Sequence, residues 1–391
     1  MSALEHGPRP VGIAIIGCGF VADLYLETLR LHPQLALQGV FDRDPGRSFA
    51  FARRHALKVY PDREALLADP RVELVLNLTN PHAHYDVTRA CLDAGKHVYS
   101  EKPLAMQVEH ARALVGLAQA RGLLLSGAPS RLLGRPAQTL WKALREGRIG
   151  RPYLAYAEMD DGLLHRMAYR RWIGASGAPW PYVDELEVGN TLEHAGYALT
   201  WLVAMLGPVQ RVTAFASRVV PEKRMEVPLE RQAADFSVAA LQHESGAVSR
   251  LTCSIVAPHD HRLLICGEDG TLSVDDCWKP TSPVRHRGRI ELLGRSRETP
   301  FARRLPLLGD AEAVRASKGR RKVDFCLGPV DLARALREGR APRLSAQFCL
   351  HITEVALAIS NALEGPPVVT IDSRFDTPEP MPWAQSPGGE R

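Results

Sequence analysis

The sequence predicts a two-domain protein: an α/β N-terminal domain with a doubly wound parallel sheet, then an α+β domain with a mainly antiparallel open sheet. Three observations predict this. Over the first third of the chain, apolar runs alternate with helical periodicity, the pattern of parallel strands joined by crossover helices. Further on, short alternating segments meet at tight turns, the pattern of an antiparallel sheet. Near the start, a glycine turn stands between a compact apolar run and a helix.

Taken in order, Val11 to Ile16 reads as a buried parallel strand. Gly17-Cys18-Gly19-Phe20-Val21-Ala22 follows it, and Asp23 to Arg30 has helical periodicity. Leu35 to Phe41 is the next strand, closed by Asp42. Asp42 lies about twenty residues past Ala22, completing the strand, glycine turn, helix and acid order of a dinucleotide fold. Gly17 permits the tight turn, Gly19 lets backbone approach a pyrophosphate, and Ala22 allows close helix–strand packing. The helix N-terminus faces the phosphates. Asp42 suits the two ribose hydroxyls of NAD and repels a 2′-phosphate, while Arg43 beside it keeps NADP as the second choice.

Further strands are expected at Leu74–Leu78, His97–Tyr99 and Leu123–Leu125, with helices near Ser48–His55, Ala83–Ala94 and Val108–Ala120. Ala137 to Glu146 reads as a connecting helix. The second domain shows six strand candidates: Tyr153–Glu158, Val212–Arg218, Phe236–Gln242, Val248–Ile255, Leu263–Cys266 and Thr271–Val274. Helices are expected over Gly189–Leu206 and Ser345–Leu363. The expected domains are 1–130 and 131–376, with a loosely held proline- and glycine-rich tail over 377–391.

Composition narrows the function. A chain of 391 residues with 45% hydrophobic and 24% charged residues reads as a globular protein of two domains. A net charge of +5 is too small to argue for nucleic acid. The basic stretch from Arg285 to Lys322 carries one aromatic, Phe301, too few to support nucleic acid, and reads as a solvated insertion rather than an anion-binding surface. Seven cysteines without a C-x-x-C pair fit free thiols in a reducing compartment. No signal-peptide apolar region precedes Val11, and Leu199–Leu206 is too short to span a bilayer, so a cytoplasmic protein without membrane or nucleic-acid partners is expected.

Three segments resemble the glucose–fructose oxidoreductase / inositol dehydrogenase / rhizopine catabolism (Gfo/Idh/MocA) family. They are the glycine turn; Thr79-Asn80-Pro81-His82-Ala83-His84 with Ala94-Gly95-Lys96-His97-Val98-Tyr99-Ser100-Glu101-Lys102-Pro103; and Gly189 to Gly207 with its antiparallel surroundings. The resemblance implies a Rossmann domain, an NAD(P)-dependent oxidoreductase acting on sugars, cyclitols or related polyols, and pairing of subunits through the open sheet face into a homodimer or homotetramer. It implies that Phe20, Val21, Thr79, Asn80, His84 and Glu101 serve the cofactor with the glycines and Lys102. The family's second-domain helix commonly carries an aspartate and, four positions on, a histidine as acid/base. Glu193 and Tyr197 stand there in this chain, and Thr200 stands where a further aspartate is often found.

The residues themselves carry a mechanism. Lys102 follows a strand end, where open parallel sheets place ligands, and an ammonium there polarises a carbonyl or steadies an alkoxide. Tyr197 needs a nearby cation to move a proton at neutral pH, since a free phenol titrates near 10. Glu193, four residues away on the same face, can orient a substrate hydroxyl, and His194 is the rival base. Arg131, Trp172 and Asn190 are candidates for the substrate. His82-x-His84 and His259-x-His261 have metal-ligand character but no third ligand at recognisable spacing, so no metal is expected. The expected reaction is hydride transfer between nicotinamide and a secondary alcohol or ketone. The alternatives are a non-catalytic dinucleotide sensor and an NAD-recycling lyase or glycosidase.

Overall fold

The computed structural model describes residues 9–223, 229, 231–292, 294–309 and 323–385. The chain divides into two compact units. One comprises Met1–Ala128, Ala168–Tyr182 and Asp324–Leu350; the other comprises Pro129–Met167, Val183–Val323 and His351–Arg391.

The first unit opens with β1 (Val11–Ile16), α1 (Phe20–Leu29), β2 (Leu35–Phe41), α2 (Pro45–His55), α3 (Arg63–Ala68) and β3 (Leu74–Asn77). It continues with α4 (His84–Asp93), β4 (His97–Ser100), α5 (Val108–Ala120) and β5 (Leu125–Gly127). Local chemistry starts the helices: the Asp44 carboxylate caps α2 ahead of Pro45, and Asp62 caps α3. The strands run parallel in the order β2-β1-β3-β4-β5. A parallel bridge from Val40 to Val59 adds a one-residue strand outside β2. Counting it in chain order gives 3-2-1-4-5-6, the doubly wound order whose reversal, here between β1 and β3, opens a crevice at the strand C-termini. Ile13, Ile15, Val40, Phe51, Leu74, Leu76 and Tyr99 form its buried core.

The second unit contains α6 (Arg135–Arg145), β6 (Pro152–Asp160) and most of α7 (Tyr182–Val188). It also holds α8 (Asn190–Leu206), β7 (Val209–Ser217), β8 (Phe236–His243), β9 (Val248–Ser254), β10 (Leu263–Gly267) and β11 (Gly270–Val274). β12 (Val284–Leu292), β13 (Arg295–Glu298) and β14 (Arg303–Leu305) follow. The expected hairpins β8–β9 and β10–β11 form, and β6 joins the sheet between β10 and β9, parallel to β9. α8 covers one face over β6, β8 and β9. Alternation leaves Tyr156, Phe215 and Val248 exposed on their strands.

The chain then enters α9 (Leu327–Glu338) and α10 (Ala346–Asn361), and β15 (Val368–Thr370) pairs with β7. α9 belongs to the first unit, which corrects the expected split near residue 130. Val330, Leu332 and Ala333 enter that unit's core, Gly328 lies against the Tyr99 ring, and Arg337 grips Glu73 with two 2.8 Å bonds. That guanidinium holds the Glu73 carboxyl down to about 2. The segment Ala168–Tyr182 likewise joins the first unit.

Two further expectations change. The basic stretch is not a plain insertion: β12, β13 and β14 extend the sheet, and Arg285, Arg287 and Arg289 meet Asp275, Glu298 and the Tyr153 hydroxyl. Arg315, Lys318, Arg320, Arg321 and Lys322 lie outside the described residues. The tail is held over its described part, because its backbone bonds helix α6: Met381 N–H donates to Gln138 Oε1 at 2.9 Å, and Arg145 donates to Ala384 O at 2.8 Å. Residues 386–391 lie outside the description.

Candidate active site

In the nucleotide unit the glycine turn has one workable chain. Gly17 adopts φ +100°, and a Cβ there would come within 2.6 Å of Leu78 backbone. Gly19 is the N-cap of α1, and nothing lies within 4 Å of where its Cβ would stand. Backbone at the positive end of a helix dipole thus borders open space, the arrangement that accepts a pyrophosphate. Phe20 and Val21 form the first helical residues and Ala22 is fully buried beneath them.

Asp42 ends β2 as expected. Its carboxylate accepts from Cys18 N–H at 2.8 Å and from Asp44 N–H at 2.9 Å, which ties it to the glycine turn. Arg43 beside it is exposed. Burial, then Asp42, pushes the Cys18 thiol up to about 12, which favours the protonated thiol over the reactive thiolate.

After β3, Asn77 holds the loop: its Oδ1 accepts from the Thr79 hydroxyl at 2.7 Å. Asn80 caps the short 3₁₀ turn Pro81–Ala83. His84 departs from the expectation of direct cofactor contact. Its ring is fully buried, with Nδ1 2.7 Å from Pro103 O and Nε2 3.0 Å from Thr79 O. It therefore braces the two loops that follow β3 and β4. After β4, Glu101 accepts from the Tyr25 hydroxyl at 2.7 Å and from Lys102 N–H at 3.1 Å. Burial, reinforced by Glu101, lifts the Tyr25 phenol well above its usual range and keeps it a donor. Lys102, half-buried, follows at the sheet's C-terminal edge.

A strap over residues 168–182 lies on this unit too. Ser176 donates from both N–H and hydroxyl to Asp23 in the first turn of α1, at 3.0 and 2.8 Å, and His55 meets the other Asp23 oxygen at 2.7 Å. Trp172 packs on Trp180 in the strap, with centroids 5.0 Å apart, so it groups with the nucleotide unit rather than with the antiparallel sheet.

In the second unit, α8 starts after Gly189, whose φ of +93° and 2.4 Å approach of Ala233 to a would-be Cβ exclude a side chain. From Asn190 to Leu206 only His194 and Tyr197 escape full burial. They lie three residues apart on one helix face. Glu193, expected to share the working face with Tyr197, is 3% exposed, and Thr200 turns its hydroxyl back to Tyr197 O. Asn190 is anchored by its Nδ2, which donates to Cys253 Sγ at 3.1 Å. His194 Nδ1–H donates to Asn190 Oδ1 at 2.7 Å and lies 2.5 Å from Asp161 Oδ2. Both oxygens face Nδ1, and the Asp161 carboxylate acts on the ring through hydrogen bonding and charge.

Asp161, just past β6, escaped the sequence reading. His261 Nε2 stands 3.0 Å from its other oxygen. Burial alone would raise the Asp161 carboxyl; His194 and His261 more than offset this and hold it well below the carboxylate range. Burial works to lower His261, but Asp161 and Asp276 overcome it and lift it to about 9. Trp278 presents its ring to Tyr197, His261 and His194 with centroids 4.7, 4.9 and 5.6 Å away. Arg131 is buried in this unit and its charge bears on the Cys277 thiol. The signals for the missed residues were a carboxylate pair at a strand end, Asp160-Asp161, and Asp275-Asp276-Cys277-Trp278 after Val274.

A doubly wound parallel sheet with a glycine turn and Lys102 at its C-terminal edge, in a chain whose other unit is a mainly antiparallel sheet, fits the class of NAD-linked oxidoreductases. Residues 11–128 match the oxidoreductase family with an NAD-binding Rossmann fold, and residues 137–273 match the Gfo/Idh/MocA C-terminal domain. The chain belongs to the Gfo/Idh/MocA family. It is 27% identical over 276 residues to trans-1,2-dihydrobenzene-1,2-diol dehydrogenase of Bos taurus, covering 69% of this chain and 76% of that one. The Mus musculus enzyme of the same name is 27% identical over 282 residues, covering 71% and 78%. Among solved structures, levoglucosan dehydrogenase in complex with NADH and levoglucosan has a TM-score of 0.72 at 17% identity, covering 93% and 100%. An aldose-aldose oxidoreductase from Caulobacter crescentus has a TM-score of 0.71 at 19% identity, covering 93% and 100%. These structural likenesses speak to the fold. Among the described residues no helix is long and apolar enough to cross a membrane.

Proposed function

We propose that this enzyme interconverts a secondary alcohol and its ketone on a sugar-like, cyclitol or vicinal-diol substrate, with NAD(H) preferred. When bound, the nicotinamide ring supplies or accepts the hydride. Lys102 holds positive charge at the reacting oxygen, where it steadies the alkoxide. Tyr197 takes or returns the hydroxyl proton at its phenolic oxygen. His194, held near Asn190 and Asp161, stands beside it on the same helix face. The observation that carries this reading is the pair His194 and Tyr197 on the one incompletely buried face of α8, with an ionised Asp161 behind it. Glu193 acts from within the helix to position that face, and Arg131 and Asn190 shape the substrate pocket. Asp42 takes the ribose hydroxyls.

The name of the curated relatives, trans-1,2-dihydrobenzene-1,2-diol dehydrogenase, supports a vicinal-diol substrate. A screen of sugars, cyclitols, dihydrodiols and glycosides for reduction of NAD⁺ tests it. Substrate-dependent release of reduced cofactor supports it. Binding of NAD without turnover would favour a sensor, and glycoside cleavage without net NADH would favour an NAD-recycling lyase or glycosidase.

The exposed Tyr156, Phe215 and Val248 support pairing of two chains through the open sheet, as a homodimer or homotetramer. Light scattering at the mass of one 43.0 kDa chain would contradict this. The seven cysteines, all free and six of them buried, fit a cytoplasmic protein.

A further inference from the structure

His259, His261 and Asp276 bring three ligand atoms within 4.8 Å of one another. None of the steps proposed above uses His259 or Asp276. The backbone sets the cluster rigidly. Asp260 bridges Asp160 at the end of β6, His261 bridges Asp276, and Cys277 N–H donates to His261 O at 2.9 Å. The Asp276 carboxylate is oriented by Trp278 N–H and Lys279 N–H, which donate to Oδ1 at 2.8 and 3.2 Å.

The His261 side chain is completely buried, yet its Nδ1 has no hydrogen-bond partner. That atom lies 3.7 Å from Asp276 Oδ1, and His259 Nε2 lies 3.6 Å from Asp276 Oδ2. Both distances are too long for hydrogen bonds. They are close to the separation of two donors sharing one tetrahedral cation, roughly 3.3–3.4 Å when each bond is about 2.0–2.1 Å. Behind the ring, His261 Nε2 stands 3.0 Å from Asp161 Oδ1. A carboxylate on the outer nitrogen is how metal-bound imidazoles are oriented.

We propose that His259, His261 and Asp276 form a site for a divalent transition-metal cation such as zinc, with Asp161 orienting His261 from behind. Two imidazoles and one carboxylate suit a borderline cation and leave a fourth position for water. Lys279 Nζ, 3.2 Å from Asp276 Oδ2, is the cation that must yield; its side chain is 67% exposed and can swing into solvent. The two histidines were visible as an H-x-H in sequence, but Asp276 comes from beyond β11 and only the fold makes it the third ligand. Since Asp161 also meets His194, an ion here locks the carboxylate that stands behind the α8 face.

The test uses the full chain, stripped with a chelator and titrated near neutral pH with Zn²⁺ alone by calorimetry and with Co²⁺ by visible absorption. The expected result is one ion per chain and the intense band of four-coordinate Co²⁺. His259→Ala, at a half-exposed position that spares the core, should weaken binding at least about tenfold. His82→Ala, which breaks the other H-x-H, should bind as the wild type does. Absence of saturable binding, a His259→Ala titration matching the wild type, or loss of binding in His82→Ala would each overturn the proposal.

Discussion

His194 Nδ1 and Asp161 Oδ2 stand 2.5 Å apart, joining the incompletely buried face of α8 to a largely buried carboxylate at the end of β6. His261 meets the same carboxylate from the other side. Asp161→Asn keeps the volume and removes the charge both rings rely on. Leaving buried donors without their acceptor costs about 1–3 kcal/mol, so the denaturant midpoint should fall while the transition stays cooperative. An unchanged midpoint would show that the rings do not depend on this carboxylate.

Asp42 should decide the cofactor. Its two oxygens already accept backbone N–H groups of the glycine turn, which places its charge at the end of β2. A 2′-phosphate brought there meets that charge. NADH should bind more tightly than NADPH, and Asp42→Ser should narrow the gap by about tenfold or more, about 1.4 kcal/mol. Fluorescence titration of both nucleotides checks this; tighter NADPH binding by the wild type would refute it.

Lys102→Met should abolish turnover while NADH binding stays near normal. Loss of a charge aimed at a developing oxyanion costs roughly 2.7–4 kcal/mol of transition-state stabilisation. Steady-state rates beside a cofactor titration check it. A variant that keeps more than about a tenth of the wild-type rate removes Lys102 from the chemistry.

Stability should weaken on mild acidification, and His351 is one reason. Its Nε2 accepts from Val209 N–H at 3.0 Å, and its Nδ1 lies 2.9 Å from the Ser373 hydroxyl. Burial, first of all, pushes it down to about 4. The folded value lies below the unfolded one, so the unfolded chain takes up the proton first. The stabilisation is complete above about pH 6.5 and is lost as pH falls from there towards 4, on the order of 3 kcal/mol in all. Denaturant unfolding at pH 7 and pH 5 checks the sign; greater stability at pH 5, with His351→Asn no less acid-sensitive than the wild type, would contradict it.

Much of this was legible in sequence because the signals are local. The glycine turn, Asp42 and the Glu101-Lys102-Pro103 loop depend on neighbours within one βα unit, and the structure places them as their spacing implied. The hairpins β8–β9 and β10–β11 were legible through their turns. What escaped is long-range. Asp161, His261 and Asp276 meet only because β6, β9, β10 and β11 are ordered as they are, and no spacing along the chain announces it. On α8, Glu193 and Tyr197 match helical spacing as well as His194 and Tyr197 do. Only burial separates the two pairs. The assignment of α9 to the first unit likewise depends on Gly328 meeting Tyr99 across more than two hundred residues of chain.

The central claim is that Tyr197 moves the proton, with His194 standing beside it. Tyr197→Phe removes one hydroxyl and keeps the ring that packs on Trp278, 4.7 Å away. With a substrate found by the screen, the decisive measurement is kcat of Tyr197→Phe beside that of His194→Ala. Loss of a general acid–base costs about 10²–10⁴ in rate. Tyr197→Phe should lose that much, and His194→Ala clearly less. A nearly silent Tyr197→Phe beside an inactive His194→Ala would contradict it and hand the proton to the histidine.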